Sequence, residues 1–104
     1  MSRAQELLKQ YALSLEHPEV SGFELLDLLE MRSALAHAEG DLQDSERQEL
    51  EEADALFLSL AETFYRRIEA VASLAETRQH SKVTPSHWWW YLDRWSAHRK
   101  TAAL

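Results

Sequence analysis

Five histidines, His17, His37, His80, His87 and His98, are the side chains of this 104-residue chain best suited to hold a metal or shuttle a proton, so their spacing decides the first question. A helical di-iron site needs Glu-x-x-His, and the residues three before these histidines are Ser14, Ala34, Thr77, Thr84 and Trp95, none an acid. The zinc pattern H-E-x-x-H is absent too. Glu76 and His80 stand four apart and offer two ligands at most, an ordinary contact along one helix face. His87 and His98 share a side of any helix that carries both, but about 16 Å apart along its axis, too far to share an ion. The absence of cysteine removes thiolate sites, disulfides and a cysteine nucleophile. Gly22 and Gly40 are the only glycines, and no phosphate loop, nucleophile elbow or dinucleotide fingerprint is present. The sequence implies neither a metal nor a cofactor. The acidic run from Glu39 to Asp54 lacks the order of a calcium loop and reads as a solvated helix entrance, where carboxylates oppose the positive end of the dipole.

Arg32 and His37 form an Arg-x4-His pair, and the segment MRSALAHAEG resembles the motif of HEPN-type helical ribonucleases, small α-bundles that dimerise and join two such motifs into one active site. The resemblance covers six residues. It implies a metal-independent ribonuclease with Arg32 as the phosphate-orienting cation and His37 as the catalytic imidazole. Helical geometry gives Arg32 a different role. At about 100° per residue, Arg32 falls among Leu25, Leu28, Leu29, Leu35 and Ala36, the centre of an apolar face, whereas His37 falls on the polar side with Asp27 and Glu30. An arginine so placed snorkels or pairs with a carboxylate of another helix. The structural ion pair is the reading preferred here, which leaves the chain without evident catalytic activity.

All four tryptophans lie within eight residues, His87-Trp88-Trp89-Trp90-Tyr91-Leu92-Asp93-Arg94-Trp95. On a helix, Trp88, Tyr91, Leu92 and Trp95 share the buried stripe, and Trp89 and Trp90 point away from it. One bundle core cannot then cover three consecutive indoles. The excess surface fits a homo-oligomer or protein partner held by Trp89, Trp90 and Arg94, since tryptophan is enriched at interface hot spots. Two other covers are a cation–π contact of Trp90 with Arg94, and a single-stranded nucleic acid stacked with Arg94, Arg99 and Lys100. A formal charge of −7 argues against the nucleic acid.

Helices must position these groups. Gly and Pro are scarce, with Pro18, Gly22, Gly40 and Pro85 punctuating an otherwise helical chain. A Ser2/Gln5 capping box predicts a first helix to about residue 15 with Ala4, Leu7, Leu8, Tyr11 and Leu15 inward. Ser21 and Glu24 predict a second, ending near Ala38 with Gly40 as a left-handed cap. After Ser45 and Gln48, apolar residues recur at three and four from Leu50 through Phe57, Leu60, Phe64, Ile68 and Val71 to Ala75, with one four-residue insertion. This predicts one long helix over about 46–79. Thr84 and Pro85 predict a fourth helix to about Ala102. The expected architecture is an all-α four-helix bundle, one domain over 1–104, with the long helix at its centre. Charge divides along the chain: residues 1–64 hold fifteen acids and four bases, and residues 65–104 three acids and seven bases. Without a signal peptide or membrane span, the expected protein is a cytoplasmic, self-associating interaction or adaptor module that touches neither membrane nor nucleic acid.

Overall fold

Local capping starts the helices where the side chains allow it. A computed structural model describes residues 2–17 and 20–94. Helix α1 spans Arg3–Glu16: the Ser2 hydroxyl accepts the Gln5 amide at 3.2 Å and the Gln5 side chain accepts the Ser2 amide at 2.9 Å, so two otherwise unpaired donors are satisfied reciprocally. Ala4, Leu7, Leu8, Tyr11 and Leu15 are its buried stripe. Helix α2, Gly22–Ala38, starts on Ser21, whose hydroxyl accepts the Glu24 amide. It buries Leu25, Leu28, Leu29, Arg32 and Leu35, and packs on both α1 and a later helix, Ala61–Glu69. Close approach at that second contact depends on Gly22, where a methyl group would overlap the Arg67 carbonyl oxygen and Val71 Cγ2.

The all-α class is as expected, and three features differ from expectation. Gly40 is not a left-handed cap: among the described residues no glycine has positive φ, and Glu39–Asp41 form a 3-10 turn instead. The single helix over 46–79 is divided into α3, Asp44–Ser59, α4, Ala61–Glu69, and α5, Leu74–His80. Helix α3 starts two residues early, where the Glu46 carboxylate accepts the Gln43 amide at 2.8 Å. The division at Leu60 has a local cause. Ser59 Oγ donates to the Leu56 carbonyl at 2.6 Å while the Leu60 amide turns to the Phe57 carbonyl, a tighter i,i+3 bond. The second division follows from Ser73, whose hydroxyl accepts the Glu76 amide and caps α5, with Glu69 accepting the Leu74 amide.

Helix α5 ends in a Schellman motif. The Val83 amide bonds the Arg78 carbonyl and the Lys82 amide bonds the Gln79 carbonyl, which puts Lys82 in the left-handed position at φ 52°. Lys82 is the one non-glycine residue of positive φ among those described, at a position where glycine avoids a cost of about 1 kcal/mol. Thr84 and Pro85 do not open a helix; the chain turns through 84–87, forms a 3-10 turn over Trp88–Trp90 and becomes helical again at 92–94. The expected continuation to Ala102, with Trp95, lies outside the described residues. The core joins Tyr11, Leu25, Leu29, Phe57, Phe64, Ile68, Trp90 and Leu92. Among the described residues no helix is long and apolar enough to cross a membrane.

Candidate functional site

The centre of the molecule is an arginine held inside an aromatic box. Arg32, on the apolar face of α2, is 4% exposed, and its fork binds Asp54 of α3 through Nε to Oδ1 at 3.0 Å and Nη2 to Oδ2 at 2.9 Å. Tyr11 of α1 donates to the same Oδ1 at 2.6 Å. Burial pushes the Tyr11 hydroxyl well above the usual phenol range, and the Asp54 charge adds to the rise. The guanidinium carbon lies 4.3 Å from the Trp89 ring centroid, with the Tyr11 and Trp88 rings at 5.8 and 6.0 Å. Nη1 has no hydrogen-bond acceptor, and the aromatic faces are the electron-rich groups around it. The expected pairing of Arg32 with a carboxylate of another helix is therefore present, and Asp54 is the partner the sequence did not single out.

The tryptophans reverse their expected roles. Trp89 and Trp90 are 3% and 1% exposed, and Trp88 is the partly exposed member of the run. A helix would have turned Trp89 and Trp90 outward; the 3-10 turn lets both point inward. Each indole needs an acceptor for its N–H, and Ser33 Oγ serves both, at 2.9 Å from Trp89 Nε1 and 2.8 Å from Trp90 Nε1. Arg78 fixes the far end by donating to the Trp90 carbonyl and to Asp93 at 2.9 Å each. Burial alone would raise the Asp93 carboxyl, but the Arg78 hydrogen bond and charge hold it below the ordinary range. The cation–π contact expected between Trp90 and Arg94 is made by Tyr91, whose ring centroid lies 4.7 Å from the Arg94 guanidinium. Arg94 itself is exposed.

With both lone pairs of Ser33 Oγ occupied, its hydrogen remains, and His87 Nδ1 at 3.4 Å receives it. This pattern leaves the His87 proton on Nε2. It also makes Ser33 a poor nucleophile despite the adjacent imidazole, because no lone pair is left to attack. His87 stacks on Trp89 at 4.6 Å, its ring centroid 5.7 Å from that of His37. Burial, then the charges of His37 and Arg32, lower the His87 pKa below the ordinary imidazole value. Ser33, His37, Lys82 and His87 line a cleft of about 530 Å³ together with Glu30, Val83 and Trp90. Arg32 faces the core and His37 the surface, so the two residues of the Arg-x4-His pair serve different environments.

A second concavity runs between α1 and α3. It consists of two adjoining hollows that share Ala12, Glu16 and Glu49; Leu8, Leu15 and Ala53 add apolar lining, Glu46 and Glu52 further acids, and Lys9 one cation. Leu13 and Leu56 flank it at 53% and 42% exposure. Among the described residues no group of three or more His, Cys, Asp or Glu is placed to hold a metal ion. Compared with protein-family models, curated proteins and solved structures, the chain matches none.

Proposed function

We propose that this chain is a self-associating helical interaction module, in which the groove between α1 and α3 receives the basic C-terminal segment, residues 94–104, of a second copy. The observation that carries the reading is the exposure of Leu13 and Leu56 along an apolar floor edged by four glutamates against one lysine, Lys9. Burying two half-exposed leucines contributes about 1 kcal/mol each. The acids select what does the burying. Residues 94–104 carry Arg94, Arg99 and Lys100 with no acid, together with Trp95, and so offer the opposite charge and a large apolar side chain. Rim charges of this kind govern encounter rate and register more than affinity. A domain of this size also leaves much of its surface in water, which association relieves. Trp89 and Trp90 are buried against Ser33 of α2 and so do not touch the partner in this reading. The ribonuclease reading asks Arg32 to meet a phosphate, and its Nε and Nη2 are committed to Asp54.

Size-exclusion chromatography with light scattering tests the assignment. Wild type is expected to run as a dimer or larger at tens of micromolar, Glu49→Lys with Glu52→Lys as a monomer, and the further changes Arg99→Glu and Lys100→Glu are expected to restore assembly. A wild type that runs as the 12.1 kDa monomer, or a double glutamate variant that assembles unchanged, refutes the reading.

A further inference from the structure

We propose that the cleft lined by Ser33, His37, Lys82 and His87 is a binding site for a small phosphomonoester. Three nitrogen-bearing side chains meet there from two separate parts of the chain: His37 from α2, and Lys82 and His87 from the segment after α5. The His87 ring is fixed on both sides, by the stack on Trp89 and by the Ser33 hydroxyl at Nδ1, so the group left to bind a ligand is the Nε2–H donor. His37 lies one ring away. A phosphate needs several N–H donors and a cation, and the lining of this one cleft carries an ammonium and two imidazoles.

Lys82 supplies an independent observation. It occupies the position of the Schellman motif that glycine fills most readily, with φ at 52°, and it lines this cleft. Backbone strain of this sort concentrates at functional sites. Helix termination alone would be served better by glycine, so the position carries its lysine at a conformational cost.

The remaining lining narrows the ligand. Glu30 is the one carboxylate among the lining residues, and although two imidazoles and one acid are the residue types of a catalytic zinc site, these three are not placed to hold one ion. A volume of about 530 Å³ accommodates a phosphate with a small organic group against Val83 and Trp90, and Glu30 is positioned to accept from a ligand hydroxyl or amine. The charge of −7 over the whole chain repels a long polyanion, whereas a single dianion meets mainly the local cations. The groups facing His87 are His37 and Glu30 from α2, Lys82 from the turn and Arg32 behind Trp89.

Histidine ring resonances followed by NMR during titration of the full chain with inorganic phosphate test this. The expected result is a saturable shift of the His37 and His87 resonances with a dissociation constant of about 1 mM. Lys82→Gly is expected to fold at least as well as wild type, because the strained position becomes a glycine, and to bind phosphate roughly tenfold more weakly. His37→Ala, on the exposed side of α2, is expected to weaken binding while leaving the fold intact. The absence of a saturable shift in wild type, or a Lys82→Gly variant that binds as wild type does, overturns the proposal. The assay reads the cleft alone, so its failure leaves the α1/α3 groove untouched.

Discussion

The two halves of the Arg32–Asp54 pair should respond unequally to removal. The Arg32 side chain is 5% exposed and the Asp54 side chain 19%. Asp54→Ala leaves a guanidinium with no carboxylate in the core and takes from Tyr11 the acceptor of its 2.6 Å bond, so it should cost about 3–5 kcal/mol. Arg32→Met removes the buried charge itself. Asp54 keeps the Tyr11 hydroxyl and reaches water through its exposed fifth, and the main loss is the contact of the guanidinium with Trp89, so about 2 kcal/mol is expected. The double variant Arg32→Met with Asp54→Leu replaces both charges by apolar volume and should be more stable than Asp54→Ala alone, although Tyr11 remains without its acceptor. Arg32→Lys should behave like a loss rather than a conservative change, because an ammonium cannot bind both Asp54 oxygens and lie flat on Trp89. Urea unfolding followed by tryptophan fluorescence measures all four. Equal losses in Asp54→Ala and Arg32→Met would refute the premise that the core tolerates an unpaired carboxylate at the edge better than an unpaired guanidinium at the centre.

Acid should weaken the Trp88–Trp90 segment. The folded-state pKa of His87 lies below its unfolded value, so between the two the unfolded chain binds more protons; stability then rises with pH across that window and is lost as pH falls below about 6.5, and His87→Gln should flatten this part of a thermal-midpoint profile. The Asp93 loss is separate and lies lower, below the ordinary carboxyl value of 3.8, because its folded pKa is depressed. The two glycines should give opposite results by denaturant midpoint: Gly22→Ala destabilises by about 1–3 kcal/mol through overlap with Arg67 and Val71, and Gly40→Ala, whose added methyl meets nothing within 4 Å, stabilises by about 0.4–1 kcal/mol.

What the sequence disclosed about this fold was what its neighbours in the chain determine. The Ser2/Gln5 box places the start of α1, Ser21 caps the start of α2, and the apolar wheel around Arg32 left it either to snorkel or to pair with a carboxylate from elsewhere, of which the pairing is present. Ser73 and Glu76 have the same spacing as Ser2 and Gln5, and the Ser73 hydroxyl caps α5, yet the three-and-four spacing of Phe64, Ile68, Val71 and Ala75 runs through them and conceals the break. Exposure of Val71 at 38% is the mark of that concealment, since a residue on a continuous apolar stripe would be covered.

The tryptophan run shows why the rest was not legible. A helical wheel orders side chains only after a helix is assumed, and Thr84 with Pro85 made that assumption look safe. What sets the backbone of 84–91 is distant in sequence: Ser33 holds two indole N–H groups from more than fifty positions away, and Arg78 holds the Trp90 carbonyl that a continuing helix would have given to its own fourth amide. Two buried indoles satisfied by one hydroxyl outweigh a capping preference worth about 1 kcal/mol. Ser33 was therefore the informative residue. A run of tryptophans that must be buried requires acceptors, and a hydroxyl beside the apolar face of α2 was the signal available for them. The same requirement explains how the cleft forms. Once Trp89 and Trp90 turn inward onto Ser33, His87 is carried onto the Trp89 face and the chain from Lys82 to His87 is laid against α2, so the cleft is a consequence of how the indoles find their acceptor.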